Sequence, residues 1–244
     1  MRFKNIVGAA LASAVLFGTA AAQSVSGVSG SDVKAGEDVV EYRFAFSPDN
    51  DGREESFTHR LHYQHGFDDS LRLRALVLMG NKGGEALEVQ AVSAEALYQF
   101  LESEKTNGWD SAIRLDGILS TIDGKPDRVR IGWHNAFELS KALELRSVLL
   151  LGKELGDNHR GGLSIETREE LTLKIHPKYR VGVQAFNNFN TTAHIGSFDE
   201  QRHQVGPIVK GKLTDQVKFE LSALFGISDD PTDVDFRFFL SYGF

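Results

Sequence analysis

The chain contains no cysteine among its 244 residues, so a disulfide framework, thiolate metal sites and a thiol nucleophile are excluded. Proline is scarce, with five residues, and tryptophan scarcer, with two. Positive charge is also in deficit. Lys and Arg number 27 against 34 Asp and Glu, a formal charge of −7 that argues against a dedicated nucleic-acid binder. Long apolar runs are missing beyond the first residues, and a mean hydropathy of −0.24 rules out a bundle of membrane helices. A transmembrane β-barrel is not ruled out, because its lipid-facing residues alternate with polar ones and vanish in a hydropathy average. With 41% hydrophobic and 25% charged residues, the composition is not that of a disordered or fibrous chain.

The start reads as an address. Arg2 and Lys4 precede an apolar stretch from Ile6 to Gly18, and Ala20, Ala21 and Ala22 precede Gln23. A basic head, a short apolar run and small residues at a cleavage point describe a signal peptide over residues 1–22. Residues 23–37 are rich in Ser and Gly without periodicity, which predicts a flexible periplasmic leader. No second linker of this kind follows, so residues 38–244 form one domain.

From Val40 onward the dominant signal is alternation. Val234, Phe236, Phe238, Leu240, Tyr242 and Phe244 share one face, opposite Asp235, Arg237, Phe239, Ser241 and Gly243. Val217, Phe219, Leu221, Ala223 and Phe225 oppose Lys218, Glu220, Ser222, Leu224 and Gly226 in the same way. Leu163, Ile165, Leu171, Leu173 and Ile175 oppose Ser164, Glu166, Arg168, Glu170, Thr172 and Lys174. Period two marks strands with one apolar and one charged face. Similar runs at 39–46, 56–65, 71–79, 87–101, 108–119, 127–138, 142–153, 178–188 and 202–213 bring the number to twelve. The run 87–101 changes parity near Ala91 and Val92, which predicts a bulge. The stretch AVSAEALYQFLESEK is the one place where a helix competes.

Connections alternate too. SPDNDGREE, GNKGGEA, TIDGKPD, ELGDNHRGG, NNFNTTAHIGSFDEQ and ISDDPTDVD form a long polar set. GFDDS, SEKTN, LSKA, HPKY and LTDQ form a shorter one between them. In an antiparallel meander this puts every long loop at one end. The expected fold is therefore all-β, a single antiparallel up-and-down transmembrane barrel of twelve strands. Its long loops would be extracellular and its short turns periplasmic.

A soluble sandwich also has one-sided strands, but here Arg and Glu occupy strand centres and the chain ends on an aromatic residue. With Phe236, Phe238, Leu240, Tyr242 and Phe244 the last segment resembles the final strand of Gram-negative outer-membrane β-barrel proteins. That resemblance extends over the mature chain and points to the small twelve-stranded monomeric channels, a group that also includes lipid-active hydrolases. It implies an outer-membrane location among outer-membrane lipids, and recognition of those five residues by the barrel-assembly machinery. The aromatics depart from the usual Tyr and Trp girdles, with 17 Phe, 5 Tyr and 2 Trp. Trp109, Trp133, Tyr42, Tyr63, Tyr98, Tyr179 and Tyr242 are the interfacial candidates.

If the apolar faces meet lipid, the other faces line a lumen. By that register the inward basic residues are Arg43, Arg60, Arg72, Arg74, Arg114, Arg128, Arg130, Arg146, Arg168, Lys174, Arg180, Arg202, Lys210, Lys212, Lys218 and Arg237. The inward acids are Glu41, Glu95, Asp110, Asp116, Glu138, Glu144, Glu166, Glu170, Glu220 and Asp235. Charged walls often neutralise themselves across strands, as Arg168 between Glu166 and Glu170 illustrates. A surplus of Arg and Lys in a narrow low-dielectric passage would instead attract anions, and guanidinium suits carboxylate and phosphate. The expectation is passive diffusion of small, anionic solutes, with no cofactor, no metal and no nucleic acid as partner. A membrane-surface hydrolase and a closed structural barrel are the alternatives.

Other constellations are weaker. His59, His62 and His65 are spaced by three, so on a strand they cannot converge on one metal. His134 and Asn135 with Ser111 or Ser120 are the nearest material for a hydrolase. Glycines in GNKGG, HRGG and IDGK sit in loops and read as turn residues. Gly206-Pro207 predicts a bulge or a break in pairing within a strand. The loop from Asn187 to Gln201 could fold inward, meet a partner or lie at the surface, and the last reading is preferred.

Overall fold

The computed structural model describes residues 24–49, 53–229 and 232–244. The expected signal peptide, residues 1–22, lies outside the described residues. Twelve strands follow one another: β1 Asp38–Ser47, β2 Ser56–Gly66, β3 Leu71–Lys82, β4 Glu88–Leu101, β5 Trp109–Ser120, β6 Asp127–Glu138, β7 Leu143–Leu155, β8 Ser164–His176, β9 Tyr179–Thr191, β10 Arg202–Lys212, β11 Val217–Gly226 and β12 Val234–Gly243. Each pairs antiparallel with its neighbours in sequence, and β12 returns to β1 to close the barrel. The closing ladder sets Val40 against Tyr242, Tyr42 against Leu240, Phe44 against Phe238 and Phe46 against Phe236. Strands of 10 to 14 residues are long enough to cross hydrocarbon when tilted.

Because one closed sheet has no second layer to pack against, the apolar parity is left on the outside. Leu61, Leu73, Leu115, Leu119, Ile131, Leu173, Val183 and Phe236 are exposed, while Arg43, Glu95, Arg114, Asp116, Glu170 and Arg237 are buried. This inversion of the usual globular order separates a lipid-facing barrel from a sandwich.

Local irregularities follow local sequence. The β3–β4 register shifts between Leu78 and Met79, so Gln90 is the extra residue of a bulge, where the parity change lay. The helix competitor yields to β4, leaving only a one-turn helix, α1, at Ser103–Thr106. Around Gly206-Pro207 the ladder to β11 is interrupted while the register is conserved, a break and not a bulge. Proline has no N–H to give that neighbour, and the pairing to β9 continues through both residues.

The aromatic candidates divide by end. Trp109 stacks on Phe137, Tyr242 on Phe244 and Tyr179 on His176 at the short-turn end. At the long-loop end Phe44 and Phe46 stack on Phe57. The phenylalanine excess thus sits in part where the loops are long, and Trp133 lies nearer mid-strand.

Candidate functional site

Among the charged positions assigned to the interior, Arg43, Arg114, Arg168, Arg202, Arg237, Glu95, Asp116, Glu166, Glu170 and Asp235 are buried, whereas Glu138 and Lys212 are exposed. Part of this inner wall neutralises itself. Asp116 receives Arg130 through both oxygens, Nε at 2.8 Å and Nη2 at 3.3 Å, and Arg114 Nη2 lies 2.9 Å from it. Arg74 Nη1 donates to Glu95 at 3.0 Å, and Arg168 Nη2 to Glu166 at 3.0 Å. Arg146 and Arg180 flank Glu144, and Lys210 bonds Glu170. Amides missed by the sequence reading complete the network: Gln64 accepts from Arg74, and Gln184 donates to Glu170. Glu154, also missed, is buried and holds Arg160.

The remaining inner wall meets an occupant. Of the segment 23–37, expected as a flexible periplasmic leader, residues 24–33 run inside the barrel and 34–37 cross its rim, a correction to that reading. Ser24, Val25, Ser26, Val28, Ser31 and Val33 are buried. The segment enters beside the end of β2, where Gly36 N donates to Gly66 O at 2.8 Å and Gly66 N to Glu37 O at 3.0 Å. A Cβ on Gly66 would lie 2.0 Å from the Lys34 carbonyl, so only glycine lets the backbone pass there. Higher up, Val33 N donates to Gln99 Oε1 at 2.8 Å and Arg72 Nη1 to Asp32 O at 3.3 Å. Arg237 donates to Ser26 O, and Arg43 Nη1 to Val25 O at 3.2 Å.

Three valines anchor this path in three apolar sockets of an otherwise polar wall. Val33 packs with Leu97 and Ala112; Val28 with Val148, Leu150, Phe186 and Leu224; Val25 with Ala45, Leu78 and Ala91. Those wall residues break the polar parity of their strands, and the segment is what they bury. Signals existed in the sequence, namely valines in a Ser/Gly stretch and apolar residues on charged faces. Neither names the other as its partner.

Below the segment a cavity of about 570 Å³ opens at the short-turn end. Eleven basic residues line it, among them Arg43, Arg72, Lys174, Arg180, Lys212 and Lys218, against four acids: Asp32, Glu37, Glu41 and Glu220. Gly27 to Gly30 form part of its ceiling. A smaller cavity of about 100 Å³, lined by Arg60, Gln90, Lys125 and Arg128, lies toward the long loops.

The weaker constellations separate. His62 is buried on the inner face, 3.6 Å from Glu41. His59 meets Tyr42 Oη at 2.6 Å and His65 meets Asp38 at 2.8 Å, both on the outer face. His134 points inward to Ser29 O at 3.5 Å, whereas Ser111 and Asn135 face outward. There Ser111 Oγ donates to Asn135 at 2.9 Å, Trp133 Nε1 to Ser111 at 2.8 Å and Trp109 Nε1 to Asn135 at 3.0 Å. Ser111 and Asn135 thus hold indoles at the wall, Ser120 accepts from Ile122 N at 3.3 Å at the end of β5, and none of the three bonds His134. The loop after β9 also stays outside: Phe198 stacks on His203 at 4.5 Å, and His203 binds Asn187 at 2.8 Å. The same Asn187 holds Glu169, an outward carboxylate that the alternation pattern had not flagged, at 3.1 Å.

No family model matches this chain, and no curated protein matches it by sequence. Solved structures do. The COG4313 outer membrane channel from Pseudomonas putida F1 aligns with a TM-score of 0.66 at 9% identity, covering 87% of this chain and 97% of that one. The KdgM porin aligns at 0.59 with 11% identity over 84% and 99%, and the NanC porin at 0.59 with 10% identity over 83% and 98%. At such identities the likeness concerns the fold, and the fold is that of small twelve-stranded outer-membrane barrel channels.

Proposed function

We propose that this chain is an outer-membrane channel for passive diffusion of small anionic solutes. One observation carries the reading: of eleven basic residues lining the cavity at the short-turn end, Arg74, Arg146 and Lys210 are paired with wall acids outside the lining, and the other eight still outnumber its four acids, in a chain whose formal charge is −7. A surplus of cations inside low-dielectric walls raises the local concentration of anions and repels cations. Guanidinium groups add geometry, since their fork pairs with two oxygens of a carboxylate or phosphate. The fold shared with porins supports the transport part, and one of the similar structures is of the KdgM porin in complex with disordered oligogalacturonate. The arrangement of Phe236, Phe238, Leu240, Tyr242 and Phe244 on the outer face of the closing strand supports their part in barrel assembly.

Reversal potentials across a planar bilayer under a potassium chloride gradient test the transport reading. Chloride preference is expected. Cation preference, or no conductance even after the inner segment is removed, would overturn it.

A further inference from the structure

We propose that residues 24–37 are a resident strap on the anion path, and that an anionic solute opens the path by taking the strap's arginine donors. This rests on the channel reading above, because it concerns the same wall.

Three observations converge. First, the strap occupies the donors that a solute would use. Arg237 donates to Ser26 O, Arg43 to Val25 O and Arg72 to Asp32 O, all neutral backbone acceptors. A carboxylate or phosphate brings a countercharge and can take two arms of the guanidinium fork at once, which a single uncharged carbonyl cannot. Arg237 is placed for exchange, with its guanidinium lying between the rings of Phe186 and Phe239 at 4.9 and 4.7 Å. Second, the strap is seated by fit more than by charge. Its valines fill shaped sockets, Gly66 leaves room at the entrance, and a Cβ on Gly27 would lie 2.9 Å from Arg43 Nη1. Among the described ion pairs none joins the strap to the wall; its Asp32 attracts Arg72 and Arg146 only from a longer distance. Third, the strap forms the ceiling of the basic cavity, so a solute drawn into that cavity arrives beside the bonds it must replace.

Absence of native cysteine makes the test clean. In the Val28→Cys, Leu150→Cys pair, oxidation ties the strap to its socket and reduction frees it. Conductance in a bilayer bathed in citrate, a tricarboxylate, should be at least tenfold lower oxidised than reduced. Separately, Ser26→Cys in detergent-solubilised full chain reports release by maleimide labelling, without any need for conduction. Labelling should be slow in chloride and at least tenfold faster in citrate. Equal conductance in both redox states would show that the strap is not on the path. Fast labelling in chloride would show that it is not resident, and labelling indifferent to citrate that anions do not displace it. Each of these overturns the proposal. Citrate-dependent labelling in a reduced chain that never conducts would retain strap release and remove the channel reading instead.

Discussion

Two parts of one inner wall use arginine in opposite ways. From β3 to β6, Arg74, Arg114 and Arg130 are tied to Glu95 and Asp116. Around β12, β1 and β3, Arg237, Arg43 and Arg72 reach across to backbone carbonyls of residues 25–32. A charge pair on adjacent strands is part of the wall's own structure, and losing either partner leaves the other buried and uncompensated. A guanidinium held by a carbonyl keeps its charge available, as Arg237 and Arg72 do, whereas Arg43 also donates through Nε to Glu41 on its own strand. One arc of the wall is therefore scaffold, and the other is a receptor for a movable chain.

The largest effect is expected on the scaffold side. Asp116→Asn removes the carboxylate shared by Arg114 and Arg130 and should cost about 3–5 kcal/mol of barrel stability, read from the urea midpoint of folded protein on gels. A value near zero would erase the distinction between the two arcs. Next, Val28→Asn places an amide among Val148, Leu150, Phe186 and Leu224. A loss of about 1–3 kcal/mol should fall on strap docking alone, seen as faster amide exchange at residues 24–33 with the barrel midpoint unchanged. Smaller again, Arg237→Met should weaken the same docking by about 1 kcal/mol and lower anion preference, since one donor and one charge disappear. If its main effect were on barrel unfolding, Arg237 would belong with the scaffold.

The smallest effect is a control outside both arcs. Glu200, in the loop after β9, is held below the usual carboxylate range by the Ser197 backbone N–H and then by the Ser197 hydroxyl. Because the folded value is lowered, the turn's contribution is present above the ordinary carboxylate pKa and lost as pH falls through the lowered one. The protection factor of the Ser197 amide, its exchange corrected for the intrinsic pH dependence, should therefore fall on acidification, Glu200→Gln should flatten that dependence, and conductance should not change.

The barrel itself was legible because a strand exposes its periodicity directly. Val234 to Phe244 state which side chains share a face, and alternating loop lengths state which ends meet. Even the bulge at Gln90 was announced by a parity change. The strap was not legible. A Ser/Gly stretch with three valines has no period, and flexible linkers have the same composition. Inward apolar residues such as Leu97, Leu150, Phe186 and Leu224 looked like minor exceptions on charged faces until the segment filled their sockets. The indole-holding role of Ser111 and Asn135 was equally hidden, since it depends on a β5–β6 register that sequence spacing alone leaves open.

Local alternation, a covalent property of neighbouring residues, determined a closed sheet with charged residues inside and apolar ones facing lipid. Which arginines pair with acids and which hold residues 24–37 was decided only by the closed cylinder. Its closure brings β1, β3 and β12 around one axis and leaves a bore that a short chain of small residues fills.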